Sequence, residues 1–175
     1  MRKIVFLATL IVAGLIIQSG VFPLFSVNGI KPDLLLLLVI AFAVQRGGET
    51  GAVLGLVTGL IQDIVFGHVL GLFAGSKMVT GALAGLIGRR FFGENPLVLA
   101  ALALLATVVH SISLLLLAGL SGILEPEGPR LLMEIVLPEA LTNAVLMLPI
   151  YYYVRRIVRQ GNIFLPSAGE GRFPG

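Results

Sequence analysis

The chain contains no cysteine and no tryptophan, and only 12% of its 175 residues are charged. The lack of cysteine excludes disulfides, zinc–thiolate sites and cysteine nucleophiles. About a quarter of the residues in a soluble domain are charged, so this chain has too little charge for a soluble surface. Because 57% of its residues are hydrophobic and its mean hydropathy is +1.04, we predict that it folds in lipid.

The sequence also lacks motifs of catalysis and of nucleic-acid binding. It has no H-E-x-x-H, G-x-S-x-G or P-loop pattern. Its two histidines, His68 and His110, are too few and too far apart to predict a metal site. No basic run is interleaved with aromatics, so the net charge of +3 does not indicate nucleic acid. We expect no catalytic residue, no metal, no cofactor and no nucleic-acid partner.

Six apolar segments predict an all-α, polytopic membrane domain over residues 1–160. A spanning helix needs ~20 residues, and continuous apolar runs favour helices over the strands of a barrel. The second segment is short and is expected to be tilted or partial, or to extend through Glu49. Residues 161–175 are rich in Gly and Pro and are expected to be a disordered cytoplasmic tail. The segments are residues 4–24, 33–45, 50–66, 69–88, 96–120 and 131–154.

The start of the chain imitates a signal peptide, but the apolar run is too long and no A-x-A site follows it, so we interpret it as a retained span. Lys and Arg collect on the side that holds both termini, which is therefore predicted to be cytoplasmic. Five of these residues are expected to contact anionic lipid, or to set orientation alone: Arg89, Arg90, Arg155, Arg156 and Arg159. The opposite side has Lys31 and Arg130, and a loop with Glu125 and Glu127. The basic residues of the inner side are Arg2, Lys3, Arg46, Arg89, Arg90, Arg155, Arg156, Arg159 and Arg172.

Glycines recur every fourth residue in the third and fourth segments. Residues four apart share a helix face, and small residues there allow close approach of helices in lipid. The pattern predicts internal packing of these two segments; a groove for a partner helix, or self-association, is the alternative. The glycines are Gly51, Gly55 and Gly59, then Gly71 and Gly75, then Gly81 and Gly85.

Two charged residues lie in the same pair of segments. Asp63 is near the outer end of the third segment, within the stretch "GLIQDIVFG", and Lys77 is further inside the fourth. A charge in hydrocarbon is costly, so one hypothesis pairs Asp63 with Lys77 and makes Asp63 a structural carboxylate. The alternative is that each side chain reaches water separately.

The last segment has Glu139 and Asn143 on one face, and Pro138 before them predicts a kink. A carboxylate at a bend resembles transporter sites, but a kink satisfied by neighbouring helices is favoured. In the fifth segment His110 is expected to bond between helices rather than to relay protons; Thr107 and Ser111 share its face.

An ordered series of motifs runs through residues 32–92. It comprises Pro32-Asp33, a leucine run, Arg46-Gly47, the stacked glycines, Asp63, Leu70-Gly71-Leu72 and Gly88-Arg89-Arg90. This order and spacing resemble the bacterial rod shape-determining family MreD. The family often has proline where this chain has Val69, so the turn before Leu70 departs from the pattern.

The resemblance implies a non-enzymatic scaffold of the bacterial inner membrane. Members of the family associate with the bitopic protein MreC, and through it with MreB filaments, RodA and a class B penicillin-binding protein. Their fold is similar to the substrate-binding S components of energy-coupling-factor vitamin transporters. An S component is therefore the alternative function, although the outer loops offer no tryptophan and few aromatics for a vitamin ring.

Overall fold

A computed structural model describes residues 2–21, 31–66, 69–91, 95–122 and 132–159. Within these ranges the chain is all-helical and contains no strand, which confirms the predicted fold class. A π-helical turn, Ile17–Val21, follows the first helix, and another, Leu132–Val136, precedes the last. The α-helices are α1 Arg2–Ile16, α2 Leu34–Arg46, α3 Gly48–Phe66, α4 Leu72–Phe91, α5 Pro96–Leu120 and α6 Leu137–Arg159.

Three of the described helical segments are long and apolar enough to cross a membrane, namely Gly48–Phe66, Pro96–Leu120 and Glu134–Arg159. Three shorter apolar segments accompany them, Val5–Gly20, Leu34–Arg46 and Leu72–Gly88. These lengths fit a polytopic membrane protein; six spans and cytoplasmic termini stay predictions. The predicted tail and the loop with Glu125 and Glu127 lie outside the described residues.

The short helix α2 is the centre of the bundle. It contacts all five other helices, and 9 of its 13 residues are buried. A helix that is apolar on every side is stable only when it is surrounded, which accounts for the leucine run. At 1.5 Å per residue it is ~20 Å long, less than the ~30 Å hydrocarbon core. The structure therefore agrees with the prediction that the second segment forms a partial helix.

Glycine ends α2 and prevents its fusion with α3. Gly47 has φ +103°, and its N–H donates to the carbonyl of Ala43 at 2.7 Å. A positive φ suits glycine because it has no Cβ. The alternative that the second helix continues through Glu49 is wrong, since the chain turns at Gly47 and α3 begins at Gly48.

Helices α3 and α4 pack through their glycines. Three glycines of α3 lie so close to α4 that an added Cβ would overlap its backbone. Because residue numbers fall along α4 as they rise along α3, the two helices are antiparallel. The glycine face of α3 is occupied by α4, as the internal-packing hypothesis expects. The pairs are Gly51 with Gly81, Gly55 with Lys77, and Gly59 with Ala74.

The other predicted packing glycines have different surroundings. Gly85 faces the backbone of Gly48, so it extends the same interface. Gly75 faces only the side chain of Leu117 on α5. Gly71 is not a packing residue: it lies in the turn before α4 with φ +103°, and an added Cβ would meet nothing within 4 Å. The i, i+4 spacing cannot distinguish a turn from a helix face.

Pro138 is the second residue of α6, not its middle. The π-helical turn Leu132–Val136 precedes it, so the irregularity expected at the proline occurs as a wider helical turn. Thr142 donates its hydroxyl to the carbonyl of Pro138 at 2.8 Å, which satisfies one backbone group locally. This end of α6 lies beside the start of α2.

Candidate functional site

Asp33 begins α2 inside the bundle and connects two helices through its carboxylate. Its Oδ1 accepts the N–H of Leu36 at 2.9 Å, which caps the helix. Its Oδ2 pairs with the ammonium of Lys77, on α4. Both side chains are buried. An ionised group in an apolar interior needs a partner of opposite charge, and here each charge provides that partner for the other.

This ion pair corrects the sequence-based hypothesis for Lys77. Its partner is Asp33, 44 residues earlier, and not Asp63 on the adjacent helix. The reason is geometric: Lys77 faces the centre of the bundle, where the short helix α2 begins, whereas Asp63 lies beside the first turn of α4. Two charges on neighbouring antiparallel helices do not meet unless both face the same side.

Asp63 is a cap for α4. Its carboxylate accepts three backbone N–H groups, from Gly71 at 2.8 Å, Phe73 at 2.9 Å and Ala74 at 3.2 Å. The first turn of a helix leaves its N–H groups without partners and carries a partial positive charge. Asp63 is only 1% exposed, so these donors replace water around its charge. The carboxylate therefore ties α3 to α4 at the turn.

Asn143 links three helices. Its Oδ1 accepts the backbone N–H of Asp33 at 3.1 Å, and its Nδ2 donates to the hydroxyl of Thr107 at 3.2 Å. Thr107 in turn donates to the carbonyl of Ala103 at 2.8 Å. Asn143 and Thr107 are fully buried. A buried network in which every polar group has a hydrogen-bond partner holds its helices in one arrangement. Here the network holds α2, α5 and α6 together.

His110 lies next to the ion pair without bonding to Asp33. Its Nε2 is 3.8 Å from Oδ2 of Asp33, too long for a hydrogen bond. The ring of Phe73 stacks on the imidazole, with centroids 6.4 Å apart and planes at 29°. Thr107, His110 and Ser111 are all buried on one face of α5, as their spacing predicts.

A cavity of about 280 Å³ lies above the ion pair. Its walls come from the start of α2, α4 and α6, the C-terminal parts of α3 and α5, and the π-helical turn after α1. We call this end of the bundle the outer end, because the predicted topology places it outside. Residues that line the cavity include Gln18, Gln62, Phe66, Phe73, His110 and Glu139.

Three buried polar atoms of the described residues have no hydrogen-bond partner, and all three belong to residues that line this cavity. They are Oε1 of Gln18, Oε1 of Gln62 and Nδ1 of His110. Gln62 is 2% exposed and His110 is 4% exposed. A buried polar group without a partner costs about 1–3 kcal/mol, so such groups gathered in one cavity indicate a place for an occupant.

Sequence reasoning found Glu139, His110 and Asn143 but missed Gln62 and Gln18. Gln62 stands beside Asp63, and Thr58 and Gln62 are four apart on one face of α3, so a polar stripe was visible. Gln18 had no such signal, because it follows a long apolar run. Within the described ranges, no group of three or more His, Asp or Glu side chains is placed to hold a metal.

The motif residues bracket the central helix. Pro32 and Asp33 are buried at its outer end, and Arg46 and Gly47 terminate it at the other end. The motif thus marks the two ends of α2 and, through Asp33, the floor of the cavity.

Comparison with known proteins identifies the family. A family model described as rod shape-determining protein MreD matches residues 1–160. Neither a curated protein nor a solved structure matches the chain. The match covers the helical bundle from its first helix to its last, and it includes every residue of the cavity and its polar floor. The chain therefore belongs to the MreD family of rod shape-determining membrane proteins.

Proposed function

We propose that this chain is a non-enzymatic scaffold of the bacterial inner membrane that binds MreC through the cavity at its outer end. Through MreC it would be connected to MreB filaments, RodA and a class B penicillin-binding protein, and so help to maintain the rod shape. Family membership supports the role in cell shape. The helical lengths support insertion in a membrane.

The observation that carries the proposal is the cavity with its unpartnered polar atoms. Gln62 and His110 are buried and present Oε1 and Nδ1 without partners. A segment of a partner protein that entered the cavity would supply the missing hydrogen bonds. The glycine face of α3 offers no such surface, because α4 covers it. A membrane-anchored partner such as MreC can bring its outer segment to this end of the bundle.

Co-purification of the full chain with MreC after detergent extraction tests the proposal. Gln62→Leu removes the unpartnered amide oxygen of the cavity, so we expect little loss of stability. We expect it to lower MreC retention strongly while the variant is still recovered from membranes. The matched control is Gln45→Leu, on α2 away from the cavity, where Nε2 donates to the carbonyl of Ala41 at 3.0 Å.

Two results would contradict the proposal. If the unaltered chain does not retain MreC, the scaffold role fails. If Gln62→Leu retains as much MreC as Gln45→Leu, the cavity is not the binding site.

The cavity also favours a second candidate, the S component of a vitamin transporter. A volume of about 280 Å³ with a few polar groups in mainly apolar walls suits a small ligand. A panel of radiolabelled vitamins, applied to the same purified chain, separates the two functions. Retention of a vitamin without MreC would favour the transporter component.

A further inference from the structure

The polar walls of the cavity present hydrogen-bond acceptors. Gln18 and Gln62 line the cavity, and the side-chain carbonyl oxygen of each, Oε1, has no hydrogen-bond partner among the described residues. An amide oxygen has lone pairs and no proton, so it can be satisfied only by a donor. An occupant that presented carbonyl groups to these two atoms would leave them unpaired.

His110 adds an acceptor of the same kind. Its Nε2 is the ring nitrogen that faces the carboxylate of Asp33, at 3.8 Å. A neutral imidazole carries one proton, and on Nε2 that proton points toward the carboxylate oxygen, where a lone pair would face another lone pair. The lone pair is then on Nδ1, which is the unpartnered atom.

The hydroxyl protons of the two serines that line the cavity are already engaged in hydrogen bonds. The hydroxyl of Ser19 donates to the carbonyl of Leu15 at 2.8 Å, and that of Ser111 to the carbonyl of Thr107 at 3.0 Å. What each hydroxyl still offers is a lone pair. The serines therefore add to the acceptors and supply no free donor.

The charges agree with this chemistry. The charges of Asp33 and Lys77 compensate each other at the floor. Glu139 and Lys31 both line the cavity; Glu139 forms no ion pair with a cation of the described residues, and Lys31 is exposed to solvent. Glu139 is thus the carboxyl group with which a cation that entered the cavity could pair.

One wall is aromatic. The rings of Phe66 and Phe73 lie 6.5 Å apart at 54°, and both line the cavity. The ammonium of Lys77 is 6.0 Å from the centroid of Phe73. Aromatic faces attract cations, and guanidinium groups also stack on them.

We propose that the cavity receives an arginine side chain of the protein partner. A guanidinium group has five N–H donors and a permanent positive charge, which match several separate acceptors, a carboxylate and an aromatic wall. A lysine ammonium has three donors and does not stack as a plane. This inference rests on the proposed function, because it names the group of MreC that would enter.

The first test uses a small probe and does not depend on MreC. The melting temperature of the purified full chain in detergent is measured against N-acetyl-L-argininamide and against N-acetyl-L-citrullinamide, which has nearly the same shape but no charge. We expect the arginine derivative to raise the melting temperature in a saturable manner and the citrulline derivative to have no effect. Equal responses to both probes, or no response to either, would overturn the inference.

Glu139→Gln extends the test to the protein partner. Loss of a charge-assisted hydrogen bond should weaken the apparent affinity for the arginine probe, and the retention of MreC, about tenfold. The matched control is Glu134→Gln, the same change on the π-helical turn before α6, outside the cavity lining; it should leave both unchanged. If the two variants retain MreC equally, the arginine assignment fails while the scaffold function stands. If the unaltered chain retains no MreC, the scaffold function fails, and the probe measurement still decides the chemistry of the cavity.

Discussion

The two oxygens of the Asp33 carboxylate serve different helices. One caps α2 through Leu36, and the other compensates the charge of Lys77 on α4. Because both residues are buried, neither charge can turn to water when the other is lost. The pair therefore fixes the start of α2 against α4 and closes the floor of the cavity.

We predict that Lys77→Met destabilises the protein by about 3–5 kcal/mol, because it leaves a buried carboxylate without a partner. Adding Asp33→Asn should recover a large part of this loss, since the amide can still accept the N–H of Leu36 and no charge is buried. The melting temperature of each variant in detergent measures the effect. Lys31→Met, which removes an exposed lysine, is the control and should change little. If the double variant is no more stable than Lys77→Met, the unpaired carboxylate of Asp33 is not the cause of the destabilisation.

The central helix α2 and the glycine-packed pair α3–α4 depend on opposite properties of their side chains. Helix α2 is stable because its own large apolar side chains are buried around most of its circumference. Helices α3 and α4 are close because side chains are missing where their backbones meet. The close α3–α4 contact also sets where Asp63 reaches the first turn of α4.

We predict that Gly55→Ala lowers stability by about 1–3 kcal/mol, through overpacking against the backbone of Lys77. Gly75→Ala, on the other face, should be neutral or stabilising: its added Cβ would lie 2.9 Å from a terminal methyl group of Leu117, which can move, and alanine favours helices by about 1 kcal/mol over glycine. Melting temperatures of the two variants compare them directly. Equal losses of stability would mean that the backbone geometry of the helices, and not the α3–α4 contact, determines the effect of both substitutions.

The whole bundle has one end with the cavity and an opposite end where α2 terminates at Arg46. The excess of Lys and Arg on the side of the termini predicts that the cavity faces outward. An outward cavity suits a partner with a segment outside the membrane, and an inward one would not. The orientation therefore bears on the proposed function.

Because the chain has no cysteine, single cysteines can report this orientation. We expect Ser121→Cys, exposed after α5, to react with a membrane-impermeant maleimide in intact cells. Glu49→Cys, exposed in the first turn of α3, should react only after the membrane is opened. The reverse pattern of labelling would place the cavity in the cytoplasm and remove the outer segment of MreC as its occupant.

The helices were predictable because their signals are local. Apolar runs mark four of the six helices, α2 to α5, to within three residues at each end, whereas Gly71, which the spacing assigns to a helix face, lies in a turn. Asp63 stands one turn before the end of its segment, and its carboxylate accepts backbone N–H groups there instead of pairing with Lys77. The predicted partner of Lys77 is wrong, because adjacent helices need not turn their charged residues to the same side.

Composition and periodicity alone decide that this chain is a bundle of membrane helices, with glycine-faced helices in the middle and a basic side at the termini. Each of these properties follows from a residue and its near neighbours along the chain. The pairing of Asp33 with Lys77 and the gathering of Gln18, Gln62 and His110 in one cavity depend on how each helix is rotated about its axis. That rotation is set by the packing of all six helices around α2, so only the tertiary structure decides it.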